Sequence, residues 1–277
     1  MMTDVRTAPT PTLGQERQER KGDFIWYELM TTDSSRAKQF YEAVVGWKIG
    51  EAVAEYGGYR MIGRSDGKFA GGLLQLTSEM EQHGARPTWL AYLSVDDVDE
   101  AVSNIEAAGG KAMMPPFDIP NVGRIAMVSD PQGAPFYVMK PIPPADDPNA
   151  VSDVFSPNEE QRVGWNELQT SDVDGARRFY GRQFGWGSEE FMSMGEMGDY
   201  RFWDHRGERI GALFDPKNGQ PPHWRFYFRV ASVEAARSAV EDHGGMIHMG
   251  PHEVPTGDWV IIGSDPQGAE FALVGAK

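Results

Sequence analysis

A chain of 277 residues exceeds the usual size of one domain, and 40% hydrophobic with 24% charged residues is a globular composition, not a disordered or membrane-embedded one. With 26 basic against 41 acidic residues the net charge is -15, which repels phosphate backbones and anionic lipid and makes nucleic acid and membranes poor partners. The absence of cysteine removes disulfides, thiolate nucleophiles and thiolate metal sites together, and leaves the cytoplasm as the default location.

In chain order, residues 1–22 read as a disordered tail, polar and carrying Pro9 and Pro11, without the apolar run of a signal peptide or membrane helix. A strand follows at about 24–31. The spacing of Ala37, Phe40, Tyr41 and Val44 behind a Thr32-Asp33 cap predicts a helix. Strands are predicted at about 57–63, 68–76 and 88–95, then a helix on Val98, Ala101, Val102 and Ile105 that stops at Gly109, then strands at about 111–114, 123–129 and 135–140. Residues 143–161, rich in proline and acids, read as a solvated linker between a module at 23–142 and a second at 162–277.

The second module repeats the first. Trp26-Tyr27-Glu28-Leu29, Thr32-Asp33, Ala37, Phe40-Tyr41 and Gly46-Trp47 recur as Trp165-Asn166-Glu167-Leu168, Ser171-Asp172, Ala176, Phe179-Tyr180 and Gly185-Trp186. Ser129-Asp130-Pro131-Gln132-Gly133-Ala134 returns as Ser264-Asp265-Pro266-Gln267-Gly268-Ala269, and Trp89 with Gly109-Gly110 returns as Trp224 with Gly244-Gly245. The order of elements is βαβββ, twice per module.

These motifs resemble the vicinal-oxygen-chelate superfamily of glyoxalases, bleomycin resistance proteins and extradiol dioxygenases. The tandem form with Trp-x-Glu-Leu openings is similar to an actinobacterial antigen/hydroxylase subfamily. The resemblance implies an α+β fold of two tandem glyoxalase-like modules, in each of which paired βαβββ units curl into a half-barrel around a small molecule. It also implies a divalent metal held by a first-strand His or Glu, a fifth-strand His and a last-strand Glu. Here those positions fall on Trp26 and Trp165, near Trp89 or Leu90 and Trp224 or Arg225, and on Tyr137 and Ala272. A metal needs three or four converging N or O ligands, so no metal or other cofactor is expected.

Strand alternation puts Trp26, Glu28 and Met30 on one face and Ile25, Tyr27 and Leu29 on the other, and likewise groups Trp165, Glu167 and Gln169. If the apolar face lies under the helices, Glu28 and Glu167 project into the cups as acid-base groups with raised pKa; otherwise they are structural acceptors in the seam between modules. Trp26, Trp89, Trp165 and Trp224, with Tyr137, are expected as cup walls for a planar ligand. Arg60 and Arg201, in repeated Tyr-Arg pairs, could hold a substrate carboxylate, although surface pairing is the commoner role. Asp130 and Asp265 suit turn chemistry.

The expectation is a metal-independent small-molecule-handling protein for an apolar or aromatic metabolite, with acid-base chemistry of lyase, isomerase or hydroxylase type, working as a monomer or weak homodimer. The alternatives are a non-catalytic binding or resistance protein, and a metal-dependent lyase or dioxygenase using noncanonical ligands such as His223, His252 and Glu167.

Overall fold

A computed structural model describes residues 20–145 and 147–277. Most of the expected tail, residues 1–19, lies outside the described residues. The first half runs β1 (Phe24–Thr31), α1 (Ser34–Val45), β2 (Lys48–Ile49), β3 (Arg60–Gly63), β4 (Phe69–Gln75), α2 (Ser78–Gln82), β5 (Thr88–Ser94), α3 (Val98–Ala107), β6 (Lys111–Ile119), β7 (Gly123–Ser129) and β8 (Pro135–Pro141). The second half runs β9 (Val163–Gln169), α4 (Val173–Phe184), β10 (Phe191–Ser193), β11 (Asp199–His205), β12 (Glu208–Phe214), β13 (His223–Val230), α5 (Val233–Asp242), β14 (Met246–Glu253), β15 (Trp259–Ser264) and β16 (Glu270–Gly275). Among the described residues, no helix is long and apolar enough to cross a membrane.

Each half is one eight-stranded sheet, ordered β2-β3-β4-β1-β5-β8-β7-β6 and β10-β11-β12-β9-β13-β16-β15-β14. The first strands of the paired units, β1 with β5 and β9 with β13, run antiparallel at the centre of each sheet. The fold is therefore two tandem modules of paired βαβββ units, as the repeat implied.

Local chemistry sets the helix limits. The Asp33 carboxylate accepts from the backbone N–H groups of Ser35 and Arg36, and Asp172 accepts from that of Gly175. Both helices end on a glycine in the left-handed region, Gly46 at φ 79° and Gly185 at φ 75°, where a side chain would be strained. Two expectations needed revision. The strand predicted to stop at Met114 continues through Pro115-Pro116 to Ile119, because β6 is a sheet edge whose pairing shifts register between Met114 and Phe117, so the missing N–H groups cost little. Residues 143–161 are not a merely solvated linker, since Val154 is buried in the core and Asp153 ion-pairs with the buried Arg64 at 2.9 Å.

The two sheets share one core. Helices α1 and α5 pack together, as do α3 and α4, so the helix-covered faces of the two halves meet. Aromatic rings interlock across this seam: Phe228 lies 5.0 Å from Trp47 and 4.7 Å from Trp89, and Phe226 lies 5.1 Å from Tyr27. The hydrogen bonds are reciprocal. Trp89 Nε1 donates to Tyr41, whose hydroxyl donates to Asp265 of the other half; Trp224 Nε1 donates to Tyr180, which donates to Asp130. Trp47 Nε1 donates to the carbonyl of Gln161, and Trp186 Nε1 to that of Gly22. Where the repeat meets itself, the matched residues Tyr27 and Asn166 bond to each other at 2.7 Å. Asp130 also accepts from the backbone N–H groups of Gln132, Gly133 and Ala134, so it serves its turn and the seam together.

A core so divided cannot come apart half by half. Denaturant unfolding followed by tryptophan fluorescence is expected to show one transition for both halves, which Phe228→Ala lowers as a unit by about 3–5 kcal/mol. Two separable transitions would contradict the shared core.

Candidate functional site

Alternation along β1 sends Tyr27 and Leu29 into the shared core and Trp26, Glu28 and Met30 to the opposite, concave face of the sheet. A register shift between Phe24 and Trp26 breaks the pattern at the strand's start, so Ile25 packs with the cup residues and not with the core. On β5 the cup-facing residues are Leu90 and Tyr92, paired with Glu28 and Trp26 respectively, and Tyr92 pairs in turn with Tyr137 of β8.

The Glu28 carboxylate is 4% exposed and set among phenols. Tyr92 donates to Oε2 at 3.0 Å, and the hydroxyls of Tyr59 and Tyr137 lie near enough to the carboxylate to counter part of the effect of its burial. Tyr59 accepts from Trp26 Nε1 at 2.9 Å. Since an indole can only donate, the Tyr59 proton is not used by Trp26. Gly72 makes room for this tyrosine, because a Cβ there would stand 1.8 Å from its hydroxyl oxygen. Burial pushes the Glu28 carboxyl up from 4.5 to about 7, while the hydrogen bonds from Tyr92, Tyr59 and Tyr137 act in the opposite sense. Burial, and then the Glu28 charge, raise the three tyrosines above their ordinary value, which keeps them protonated and able to donate. Around them lie Leu90, Ile125 and five methionines: Met30, Met80, Met114, Met127 and Met139.

The second cup keeps the frame and changes the chemistry. Trp165 Nε1 donates to Tyr200 at 2.8 Å, and Tyr200 and Tyr227 donate to Glu167 Oε2 at 2.7 and 2.9 Å. Glu167 pairs across the strands with Arg225, where Glu28 pairs with Leu90. Arg225 Nη1 donates to Glu167 Oε1 at 2.7 Å and Nε donates to Glu270 at 2.8 Å. The Gln169 amide, turned with its oxygen toward the guanidinium, accepts from Nη1 and Nη2 at 2.7 and 2.6 Å. His223 completes the network at 3.1 Å from Glu270. Burial alone would raise the Glu270 carboxyl, yet His223 and Arg225 bring it down to about 2. Ala272 stands where Tyr137 stands in the first cup.

The structure brings Glu28, Trp26 and Tyr137 together, and Glu167 with Trp165 in the other cup. It does not bring in the rest. Trp89 and Trp224, expected as cup walls, are 2% and 6% exposed in the shared core, because alternation on β5 and β13 turns them away from the cups. Arg60 lies on the helix face, donating to the Gly50 carbonyl at 3.1 Å and to the Ser35 hydroxyl at 3.3 Å. Arg201 is paired with Asp199 at 2.9 Å and lies over the Phe191 ring. In each Tyr-Arg pair the tyrosine, not the arginine, enters the cup. His223, His252 and Glu167 do not form a common site: His223 faces Glu270, His252 is exposed on the edge strand β14, and among the described residues no three His, Cys, Asp or Glu converge as metal ligands. The residues that sequence reasoning missed are Tyr59, Tyr92, Tyr200, Tyr227 and Arg225. The four tyrosines were visible as matched pairs in the repeat, on cup parity with Trp26 and Trp165.

Comparison with known proteins agrees with this architecture. The family model of the glyoxalase/bleomycin resistance protein/dioxygenase superfamily matches residues 24–138 and again 162–273. A candidate glyoxylase, CFP32 of Mycobacterium tuberculosis, is 31% identical over 92% of this chain and 95% of its own. An anthracycline biosynthesis protein, DauV of a Streptomyces species, is 28% identical over 90% of this chain and 91% of its own. Among solved structures, the Mn(II)-bound glyoxalase from Novosphingobium aromaticivorans has a TM-score of 0.61 at 16% identity, over 92% of this chain and 82% of its own. The 2,2',3-trihydroxybiphenyl 1,2-dioxygenase of Sphingomonas wittichii has a TM-score of 0.62 at 15% identity, over 92% and 91%.

The two glutamates should respond oppositely to neutralisation. The folded protein holds the Glu28 proton more tightly than the unfolded chain, so this group's contribution is fully present below about 4.5 and lost as pH rises through about 7. Glu28→Gln is therefore expected to stabilise the protein by about 3 kcal/mol at pH 8 and by almost nothing near pH 4, as read by urea unfolding. A loss of stability at pH 8 would show that the carboxylate is a structural acceptor. In the second cup, Arg225→Met strands a buried carboxylate and should cost about 3–5 kcal/mol, much of which a second change, Glu167→Gln, restores.

Proposed function

This chain belongs to the glyoxalase/bleomycin resistance protein/dioxygenase superfamily, and from that premise we propose that it handles an apolar or aromatic small molecule in its first cup, with proton transfer by Glu28 and without a metal. The observation that carries this reading is the Glu28 carboxyl, buried with no cationic partner among the described residues and pushed up to about 7. A general acid-base group works best with a pKa near the operating pH, and a purely structural carboxylate gains nothing from being held there.

The residues present do not fit the metal that the fold family implies. Indoles cannot coordinate, protonated phenols are poor ligands, and Glu28 is the only carboxylate among the cup residues named above. The same residues suit a planar apolar ligand. Trp26 is a half-buried ring beside the stacked pair of Tyr92 and Tyr137, whose centroids lie 4.2 Å apart, and methionines can repack around varied shapes. A relative named for anthracycline biosynthesis makes polycyclic aromatic ketones the first class of probe.

The second cup supports binding or packing in preference to proton transfer. Arg225 lies against Glu167 at 2.7 Å as a cationic partner of the kind that Glu28 does not have among the described residues. One working cup per chain is thus proposed, in a protein that acts as a monomer or weak dimer in the cytoplasm. A non-catalytic binder is the second reading, supported by the apolar and aromatic lining of the first cup, which could hold a ligand without any catalyst.

Native mass spectrometry of chelator-treated protein against a panel of polycyclic aromatic ketones is expected to find one ligand per chain, weakened about tenfold or more by Trp26→Ala. Conversion should be lost in Glu28→Gln and kept in Glu167→Gln. A ligand returned unchanged in mass favours the binder, and conversion that requires added metal overturns the metal-free reading.

A further inference from the structure

The residue shortly before each half's first strand is held against the other half in the same way, but its side chain differs. From that difference we infer a second binding site, outside both cups, for a small organic acid that also carries a primary carboxamide. Gln161, before β9, lies against the first half, and Gly22, before β1, lies against the second. Matching bonds fix the two backbones. Gln161 N donates to the Arg229 carbonyl at 2.8 Å and Gly22 N to the Ser94 carbonyl at 2.9 Å. The Gln161 and Gly22 carbonyls in turn accept from Trp47 and Trp186, each at 2.9 Å.

From that fixed point the Gln161 side chain reaches between the end of α1 and the β3–β4 turn. Its Nε2 donates to the Gly46 carbonyl at 2.6 Å, and its Oε1 accepts from the Ser65 N–H at 2.7 Å. A carboxamide offers a donor and an acceptor side by side, which is what this seat requires. The matching place in the second half, between Gly185 and the β11–β12 turn at Arg206, receives no side chain from Gly22. None could be added there, because the Gly22 φ is 91° and a Cβ would stand 2.5 Å from the Phe184 carbonyl oxygen. A Cβ built on Gly46 would meet Gln161 Nε2 at 3.2 Å, whereas one built on Gly185 would meet nothing within 4 Å. An open cavity of about 580 Å³ lies at this place, with Lys21, Arg182, Phe184, Gly185, His205 and Arg206 in its wall.

The wall is cationic in a chain whose net charge is -15. Among the described residues, the side chains of Lys21 and Arg182 have no hydrogen-bond or ion-pair partner, and no acid lines the cavity. Arg206 pairs with Asp23 at 3.0 Å. The His205 side chain is 10% exposed, and its Nε2 stands 3.1 Å from Asp23 without hydrogen-bond geometry, so a buried ring nitrogen of the wall is left unsatisfied. The surplus of positive charge selects an anion, and the Gly185 carbonyl, which lacks the donor that Gln161 gives to Gly46, selects an N–H group. A carboxylate alone answers only the first demand and a neutral amide only the second. A glutamine derivative with a free carboxyl answers both, its carboxamide taking the seat that Gln161 fills in the first half.

The test is a titration of the full nitrogen-15-labelled chain, followed by backbone amide NMR at neutral pH, with N-acetylglutamine, N-acetylglutamate and N-acetylglutaminamide. N-acetylglutamine is expected to bind once per chain with a Kd on the order of 1 mM, moving the amide signals of Gly185 and Arg206 and not those of Glu28 and Glu167. The other two compounds should bind about tenfold more weakly, one for want of a donor and the other for want of a charge. Replacing Lys21 and Arg182 together by alanine should weaken N-acetylglutamine about tenfold and leave N-acetylglutaminamide unchanged, a split that a change in folding would not produce. Equal or tighter binding of N-acetylglutamate overturns the carboxamide seat, and equal binding of N-acetylglutaminamide overturns the anionic half. Absence of shifts at about ten times the expected Kd, or shifts confined to the cups, overturns the site itself.

Discussion

Alternate residues of the central strands live in two different environments, and almost everything else follows from that constraint. One set must be apolar and shaped to interlock, because the helix faces of the two sheets pack on each other. The other set faces a cup and is free to carry chemistry. Tyr27 and Leu29 answer the first demand, and Trp26, Glu28 and Met30 the second. The seam takes its polar groups in closed reciprocal chains, Trp89 to Tyr41 to Asp265 and Trp224 to Tyr180 to Asp130, so the buried polar atoms of these six residues find partners without the cups. Neither glutamate takes part in these chains.

Duplication gave two copies of the same Trp-Tyr-Glu arrangement, and the neighbours have since parted. Met30, Leu90 and Pro135 in the first cup correspond to Gln169, Arg225 and Glu270 in the second, and these bond to one another. The changes make sense only together, since a lone buried arginine or glutamate would be costly and the set is mutually satisfied. One glutamate consequently faces phenols alone and the other faces a guanidinium. The difference lies in a charge one strand away and in the exchange of Tyr137 for Ala272, not in the glutamates themselves.

The fold was legible because its signals repeat: the capped helices ending in glycine, the Asp-Pro-Gln-Gly turns and the period-two strands all occur in both halves. Strand parity also placed Glu28 and Trp26 correctly relative to each other. It failed for Trp89 and Trp224 because an aromatic residue suits a core and a cup wall equally, and only pairing register shows which face it takes. Arg60 and Arg201 drew attention through their charge, while the tyrosines beside them, separated from Glu28 and Glu167 by a sheet's width of sequence, carried the contact. The register that pairs Glu28 with Leu90 and Glu167 with Arg225 lies beyond any single strand's pattern, so the divergence of the cups could not be read before the strands were aligned.

The most direct measurement is the ionisation of Glu28 itself, by carbon-13 NMR of the protein carrying labelled glutamate carboxyls, with Glu28→Gln identifying the signal. A midpoint near 7 is expected, with the proton still on the carboxyl at pH 6. A carboxyl already ionised at pH 5 would mean that water or an unseen cation reaches it, and that the first cup is not the dry acid-base site described here.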